Sequence, residues 1–312
     1  KILKDMGFKY RKSNDGRKFL LERSDIVASR MRFLRQMHDI RQAGSSRIYY
    51  LDETWVNQNH SRSKCWKMSD GSGGLKVPVG KGSRLIVCHA GSAASGFISQ
   101  SKLIFRSKNK TGDYHTEMTA VVFRKWFEEQ LLPYLESQSV IVMDNASIHS
   151  VIVDKAPSSN TRKCDIVAWL ANKNIPHTSS QTRAELLQLV KLNKPISNTY
   201  EIDTIARNHG HKVVRLPPYH CHYNPIELVW AQVKDYVAKK NNTFKLSDVE
   251  KLTHEAVDSI QTEAWAECVK HAERLQEEDY RREIAADSVM EPIVINTAET
   301  DSSEEELDTD QE

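Results

Sequence analysis

Cysteine is scarce and unpaired in this sequence: Cys65, Cys88, Cys164, Cys221 and Cys268 are scattered and form no C-x-x-C spacing. Neither a disulfide framework nor a structural zinc site is signalled, and reduced thiols are expected. Long apolar runs are missing too. No stretch approaches the roughly 18 to 20 uninterrupted apolar residues of a membrane span. The opening KILKDMGFKYRK lacks the apolar core of a signal peptide, which points to the cytosol or nucleus. Two catalytic signatures are also absent. No G-x-S-x-G elbow occurs, and the Gly-rich DGSGGLKVPVGKG lacks the G-x-x-x-x-G-K-[ST] order of a phosphate loop.

What is present is a chain of 312 residues, 39% apolar, enough for one large domain or two modest ones. The net charge of +2 conceals an asymmetry. Residues 283–312 hold eleven Asp and Glu and no Lys or Arg, leaving +13 on residues 1–282. A body that basic suits a polyanionic partner. The first residue is Lys rather than Met, and the expectation is a chain that begins partway into a longer protein.

Residues 7–22, GFKYRKSNDGRKFLLE, read as two short strands about an Asn-Asp-Gly turn, since Asp-Gly supplies the positive φ a tight hairpin needs. Its Lys9, Arg11, Lys12, Arg17 and Lys18 are the expected contacts to a DNA backbone, the alternative being a solvated hairpin. Ser24 and Asp25 offer a cap for a linker helix to about residue 43, striped by Ile26, Met31, Phe33, Leu34 and Met37. The grammar then turns to strands, RIYYLDETWV, KCWKM, SRLIVCHAGSA and SKLIFRS, followed by a helix at about 117–136 and a buried strand SVIVMD. Between 150 and 212 the spacing predicts helices at 162–173, 182–192 and 199–209, then a strand HKVVRLP. Helices over about 225–240, 247–260 and 262–280 complete an α/β pattern, and the acidic tail has too little apolar content to fold.

Three acids occupy unusual places. Asp52 interrupts an apolar strand, where burial disfavours it, and Asp144 ends the run VIVMD at the carboxyl edge of a central strand. Glu227 falls in the first turn of a helix opened by Pro225, with Asn224 as cap. Carboxylates gathered at one point repel unless they hold hard divalent cations, for which Mg²⁺ is the natural guest. Taken singly, each acid also fits a paired buried charge or a favourable charge at a helix start.

The stretches YLDETWVN, VIVMDNASIHS and LPPYHCHYNPIELVWAQVK resemble the three motif blocks of the Tc1/mariner transposases, within the DDE superfamily of RNase H-like nucleases. The resemblance implies an RNase H-like mixed sheet flanked by helices. It also implies that Asp52, Asp144 and Glu227 are the catalytic, metal-binding triad for two Mg²⁺ ions, with Mn²⁺ as substitute. Asn145, His149 and Asn224 would support them, and a packed histidine is the alternative for His149. The implied activity is cut-and-paste transposition in the nucleus: metal-dependent strand cleavage at element ends, then transfer into target DNA, by a homodimer. Residues 1–45 resemble the end of a helix-turn-helix region and its linker, with a catalytic domain over 46–260, a helix over 261–282 and the tail over 283–312. By the same resemblance the Gly-rich loop would be a clamp reaching the partner subunit, the alternative being a plain flexible loop.

One departure stands out. Eighty-two residues separate Asp144 from Glu227, so about 151–211 reads as a helical insertion, either packed beside the core or touching DNA through Arg162, Lys163, Lys191 and Lys194. The cluster His220, Cys221, His222 lacks the second ligand pair of a zinc site. In the tail, Ile293-Val294-Ile295 before serines and acids resembles a SUMO-interacting strand, against the commoner explanation of a leftover apolar triplet, and Ser302 and Ser303 resemble kinase substrates. The alternatives to a transposase are a domesticated DNA-binding descendant without activity and a host nuclease of the same fold.

Overall fold

The computed structural model describes residues 21–44, 47–62, 69, 76–107, 117–178, 180–195 and 198–289. The basic hairpin with Lys9, Arg11, Lys12, Arg17 and Lys18, the segment KCWKM, residues 70–75 of the Gly-rich loop and Ile293-Val294-Ile295 lie outside them. In chain order the elements are α1 (Ser24–Ala43), β1 (Ile48–Asn57), β2 (Arg84–Ser92), β3 (Gly96–Phe97), β4 (Leu103–Arg106), α2 (Ala120–Trp126) and β5 (Val140–Met143). There follow α3 (Lys163–Asn172), α4 (Arg183–Asn193), α5 (Glu201–Asn208), β6 (Lys212–Arg215), α6 (Ile226–Lys240), α7 (Leu246–Asp258) and α8 (Thr262–Val289).

The mixed sheet runs β3-β2-β1-β5-β6, with β4 also on the outer edge of β2. β1 pairs antiparallel with β2 and parallel with β5, and β5 pairs parallel with β6. Side chains on a strand alternate faces, and β1 obeys this closely. Tyr50 and Val56 point to one core with Leu85, Val87, Val142, α1, α6, α7 and α8. Tyr49 and Leu51 point to the other, with Ile86, Cys88, Ile141, Met143, Phe123, Trp126 and α5. The result is a helix-sheet-helix sandwich with a core on each side of the sheet.

Several local expectations are corrected. Ser24 lies inside α1, whose first turn is flanked by Arg23 bonded to Asp25 rather than by a side-chain cap. The helix expected over 117–136 is regular only from Ala120 to Trp126, capped by Thr119. A wide turn at Phe127–Leu131 and a tight one at Leu132–Tyr134 follow, the latter around Pro133, whose missing N–H cannot continue the ladder. The last helix continues to Val289, past the expected end near 280. It is part of the sandwich: Trp265, Cys268 and Val269 enter the first core, and Arg30 and Arg41 of α1 bond Glu283 and Gln276. Gly91 is required for that seat, because a Cβ there would lie 2.5 Å from the Trp265 ring and 2.7 Å from Gly96 O.

The inserted segment builds a small core of its own from Ile166, Trp169, Leu170, Leu186 and Val190. Its ends meet in a short bridge, Ile152 against Tyr200, with Val153 N donating to Thr199 O and Glu201 N to Val151 O.

Candidate active site

The three acids sit on three elements. Asp52 is in the middle of β1, Asp144 follows the last residue of β5, the strand next to it, and Glu227 is the second residue of α6. Two amides tie these elements together. Asn224 donates from Nδ2 to Leu51 O, beside Asp52, at 3.1 Å and accepts from Ile226 N, fixing the start of α6 against β1. Asn145 donates to Leu216 O, binding the loop after Asp144 to the segment that leads from β6 to α6.

The carboxylates feel one another. Burial pushes Asp52 well above the usual carboxylate range, and the charges of Glu53, Glu227 and Asp144 push further, opposed by His149. At Glu227, on the open rim, enclosure by neighbouring protein raises the pKa, Lys234 opposes and Asp144 adds to the rise. Asp144 goes the other way. Burial resists its ionisation, but hydrogen bonds from His149 and Ala146 N and the charges of His149 and Arg215 outweigh it and hold the group below its ordinary value. Among the described residues no three metal-ligating side chains already close on one point. Asp52 and Glu227 thus stand within reach of each other's or of Asp144's charge without a finished cage.

His149, fully buried, orients Asp144. Its Nδ1 donates to Asp144 Oδ1 at 2.7 Å, and its Nε2 bonds Glu53 Oε1 at 3.0 Å. Burial alone would depress the imidazole, but the charge of Glu53 and the bonds to both acids raise it to about 10. A histidine so placed is an imidazolium between two carboxylates at neutral pH. Because Oδ1 also accepts from Ala146 N at 2.9 Å, Asp144 keeps its other oxygen for a ligand.

Glu53, Trp230, Lys234 and Arg215 were not singled out from the sequence, though the first three left a trace there. Glu53 is a second acid in the apolar run of β1, one residue from Asp52 and thus on the opposite face. Trp230, three residues past Glu227 on the same helical face, donates to Asp52 Oδ2 at 3.2 Å. Lys234, seven past Glu227, lies 5.5 Å from the Trp55 ring centre; burial lowers its pKa while Glu227 and Asp52 raise it. Arg215 ends β6 and bonds His149 O at 2.9 Å, Ser150 Oγ at 3.1 Å and Asp203 at 2.7 Å, over the Tyr200 ring. It fastens the loop after Asp144 to the base of the insertion. No sequence pattern announces that role, which exists only once β5, β6 and α5 are side by side.

His220 packs flat on Tyr223, with ring centres 5.2 Å apart, and Tyr223 donates to Asp279 of α8. Those histidines thus belong to the packing of the loop before α6.

A family model described as DDE superfamily endonuclease matches residues 47–252. No curated protein matches the chain. Among solved structures, a pre-cleavage Mos1 transpososome aligns with a TM-score of 0.52 at 12% identity, over 90% of this chain and 68% of that one. The Mos1 mariner paired-end complex with Mn aligns with a TM-score of 0.51 at 12% identity, over 90% and 69%. The Mos1 strand transfer complex does so with a TM-score of 0.51 at 12% identity, over 90% and 68%. The fold is accordingly the RNase H-like α/β fold found in the catalytic domain of the Mos1 transposase. Because the family match spans well over half of the chain and includes all three acid-bearing elements, this protein belongs to the DDE superfamily endonucleases.

Proposed function

We propose that the chain is a Tc1/mariner-type DNA transposase that cuts DNA at element ends and transfers the freed strand to a target, using Asp52, Asp144 and Glu227. The observation that carries this reading is the placement of these acids on β1, after β5 and at the start of α6, tied together by Asn224 and Asn145, where Asp52 feels the charges of Glu227 and Asp144 and Glu227 feels that of Asp144, opposed by His149 and Lys234. Oxygen donors of this kind suit two Mg²⁺, or Mn²⁺, and a pair of such ions, when bound, supplies charge neutralisation and an acidified water or hydroxyl for phosphodiester displacement. Asp52, Asp144 and Glu227 would hold them.

The chain's own groups supply orientation and exclusion. His149 holds Asp144 with one oxygen free, Trp230 pins one oxygen of Asp52, and Asn224 keeps Glu227 in register with β1. Lys234, on the Glu227 face of α6, offers a cation beside the acids for a DNA phosphate. Double-stranded DNA as partner accords with the +13 of residues 1–282 and with the Mos1 assemblies, one of which is a paired-end complex with the left transposon end. On this reading the protein acts as a homodimer in the nucleus.

Asp144→Asn keeps the hydrogen bonds from His149 and Ala146 but removes the charge. It is expected to reduce Mg²⁺-dependent nicking of DNA bearing the element's own inverted repeats at least about 10³-fold, a loss of the size seen when key charge-stabilising groups are removed. Duplex affinity without metal should stay within about twofold. Equal nicking by the variant would refute the assignment.

A further inference from the structure

A cavity of about 400 Å³ opens at the edge of the sheet opposite the acids, where the first residues of β5 and β6 meet the last turn of α1. Ile40 and Ala43 of α1 form its apolar wall, and Gln138, Arg207, His211 and Lys212 supply its polar one. No Asp or Glu lines it. β5 lies between this cavity and Asp144, and four residues at about 3.3 Å each put the two about 13 Å apart.

The lining suits an anionic ligand. Arg207 and Lys212 are exposed, and neither side chain makes an ion pair or hydrogen bond among the described residues, whereas the acids nearest Arg207 along the chain, Asp203 and Glu201, are held by Arg215 at 2.7 Å and Arg124 at 2.5 Å. His211, 7% exposed, also lines the cavity, and its Nδ1 has no hydrogen-bond partner among the described residues. Gln138, at φ +59° in the turn before β5, adds a further polar residue to the lining. Guanidinium, ammonium, imidazole and amide donors around one space suit a tetrahedral oxyanion, which can accept from all of them.

We propose that this cavity binds a phosphate of the DNA backbone, separate from the phosphate undergoing reaction. The chemistry of the pocket asks only for a phosphate; that DNA carries it rests on the function proposed above. Seated beside the end of α1, such a phosphate would hold the duplex against the sheet edge remote from the catalytic acids.

The test compares the wild-type chain with Arg207→Ala/Lys212→Ala, with His211→Asn, and with Lys125→Ala as a control on α2. Affinity for a short duplex is measured without metal at several salt concentrations, alongside melting temperature with and without orthophosphate. The double variant should bind about five- to tenfold more weakly, with a salt slope reduced by about one and an unchanged melting temperature. His211→Asn should weaken binding in the same direction, and Lys125→Ala should leave it unaltered. Unchanged affinity and slope in the double variant, with the wild type binding normally, would overturn the pocket alone. Orthophosphate stabilising the wild type but not the double variant, with duplex binding unaffected, would assign the site to free phosphate and overturn the DNA assignment. A wild-type chain indifferent to the duplex would instead sink the transposase reading and the DNA assignment with it.

Discussion

Glu53 and His149 determine how Asp144 presents itself. A glutamate with its side chain 2% exposed inside the second core is costly unless paired, and His149 pairs it while using its other ring nitrogen on Asp144. Removing the imidazole leaves Glu53 buried and uncompensated. His149→Ala is therefore expected to lower unfolding stability by about 3 to 5 kcal/mol, the usual result of breaking a buried ion pair from one side, as read by urea denaturation. The pH dependence follows from the direction of the shift. His149 binds its proton more tightly folded, at about 10, than unfolded, so its contribution is complete below the unfolded value near 6.5 and declines as pH rises towards 10. Wild-type stability should fall between about pH 7 and 10 more steeply than that of the variant; parallel curves would contradict the pairing. The sequence placed Asp52, Asp144 and His149 in view by strand position and motif. It kept Glu53 hidden, since a charge in an apolar run does not name its partner until a loop 96 residues away folds over it.

At the scale of elements, short tethers decide the site more than long interfaces do. Asn224 and Asn145 each span two acid-bearing segments with one side chain. Asn224 is 3% exposed, so Asn224→Ala strands Leu51 O and Ile226 N in a dry place. We expect a stability loss of about 1 to 3 kcal/mol and a several-fold rise in the Mg²⁺ concentration for half-maximal nicking, because Glu227 loses its register with Asp52. A loss of stability with unchanged Mg²⁺ dependence would limit Asn224 to a structural role. The helix over 225–240 was legible from its Pro start and apolar spacing. The tether was not, since an Asn before Pro reads as a cap and the donation to Leu51 O depends on where β1 lies. The helix at 117 failed as a uniform prediction for a related reason: apolar spacing supported one long element, while capping by Thr119 and the ring of Pro133 limited its regular part.

For the molecule as a whole, the helical segment expected as an insertion stands out as a unit of its own. It leaves and rejoins the sandwich at one bridge and has its own buried set, with α3 and α4 packing mainly on each other. Such a unit adds little to the main cores. Replacing residues 154–198 with a short Gly-Ser linker between Val153 and Thr199, which are already hydrogen-bonded at 3.0 Å, is expected to leave a cooperatively folded protein. Its melting temperature should change by only a few degrees in calorimetry. Collapse into an unfolded or aggregated chain would make the insertion part of the fold rather than an addition to it.

The sequence by itself determined the elements and their faces, because alternation at period two and apolar spacing near 3.6 are local consequences of backbone geometry. It also put Asp52, Asp144 and Glu227 in unusual places, each with a structural reading of its own when taken singly, and its motif blocks pointed to the family. Tertiary structure decided which charges meet. His149 between Glu53 and Asp144, Arg215 beneath the loop after β5, and Arg207, His211 and Lys212 beside the end of α1 depend on distances between segments remote in the chain. Coulomb and hydrogen-bond energies fall steeply with separation, so those relationships come into being only when the sheet sets its neighbours in order.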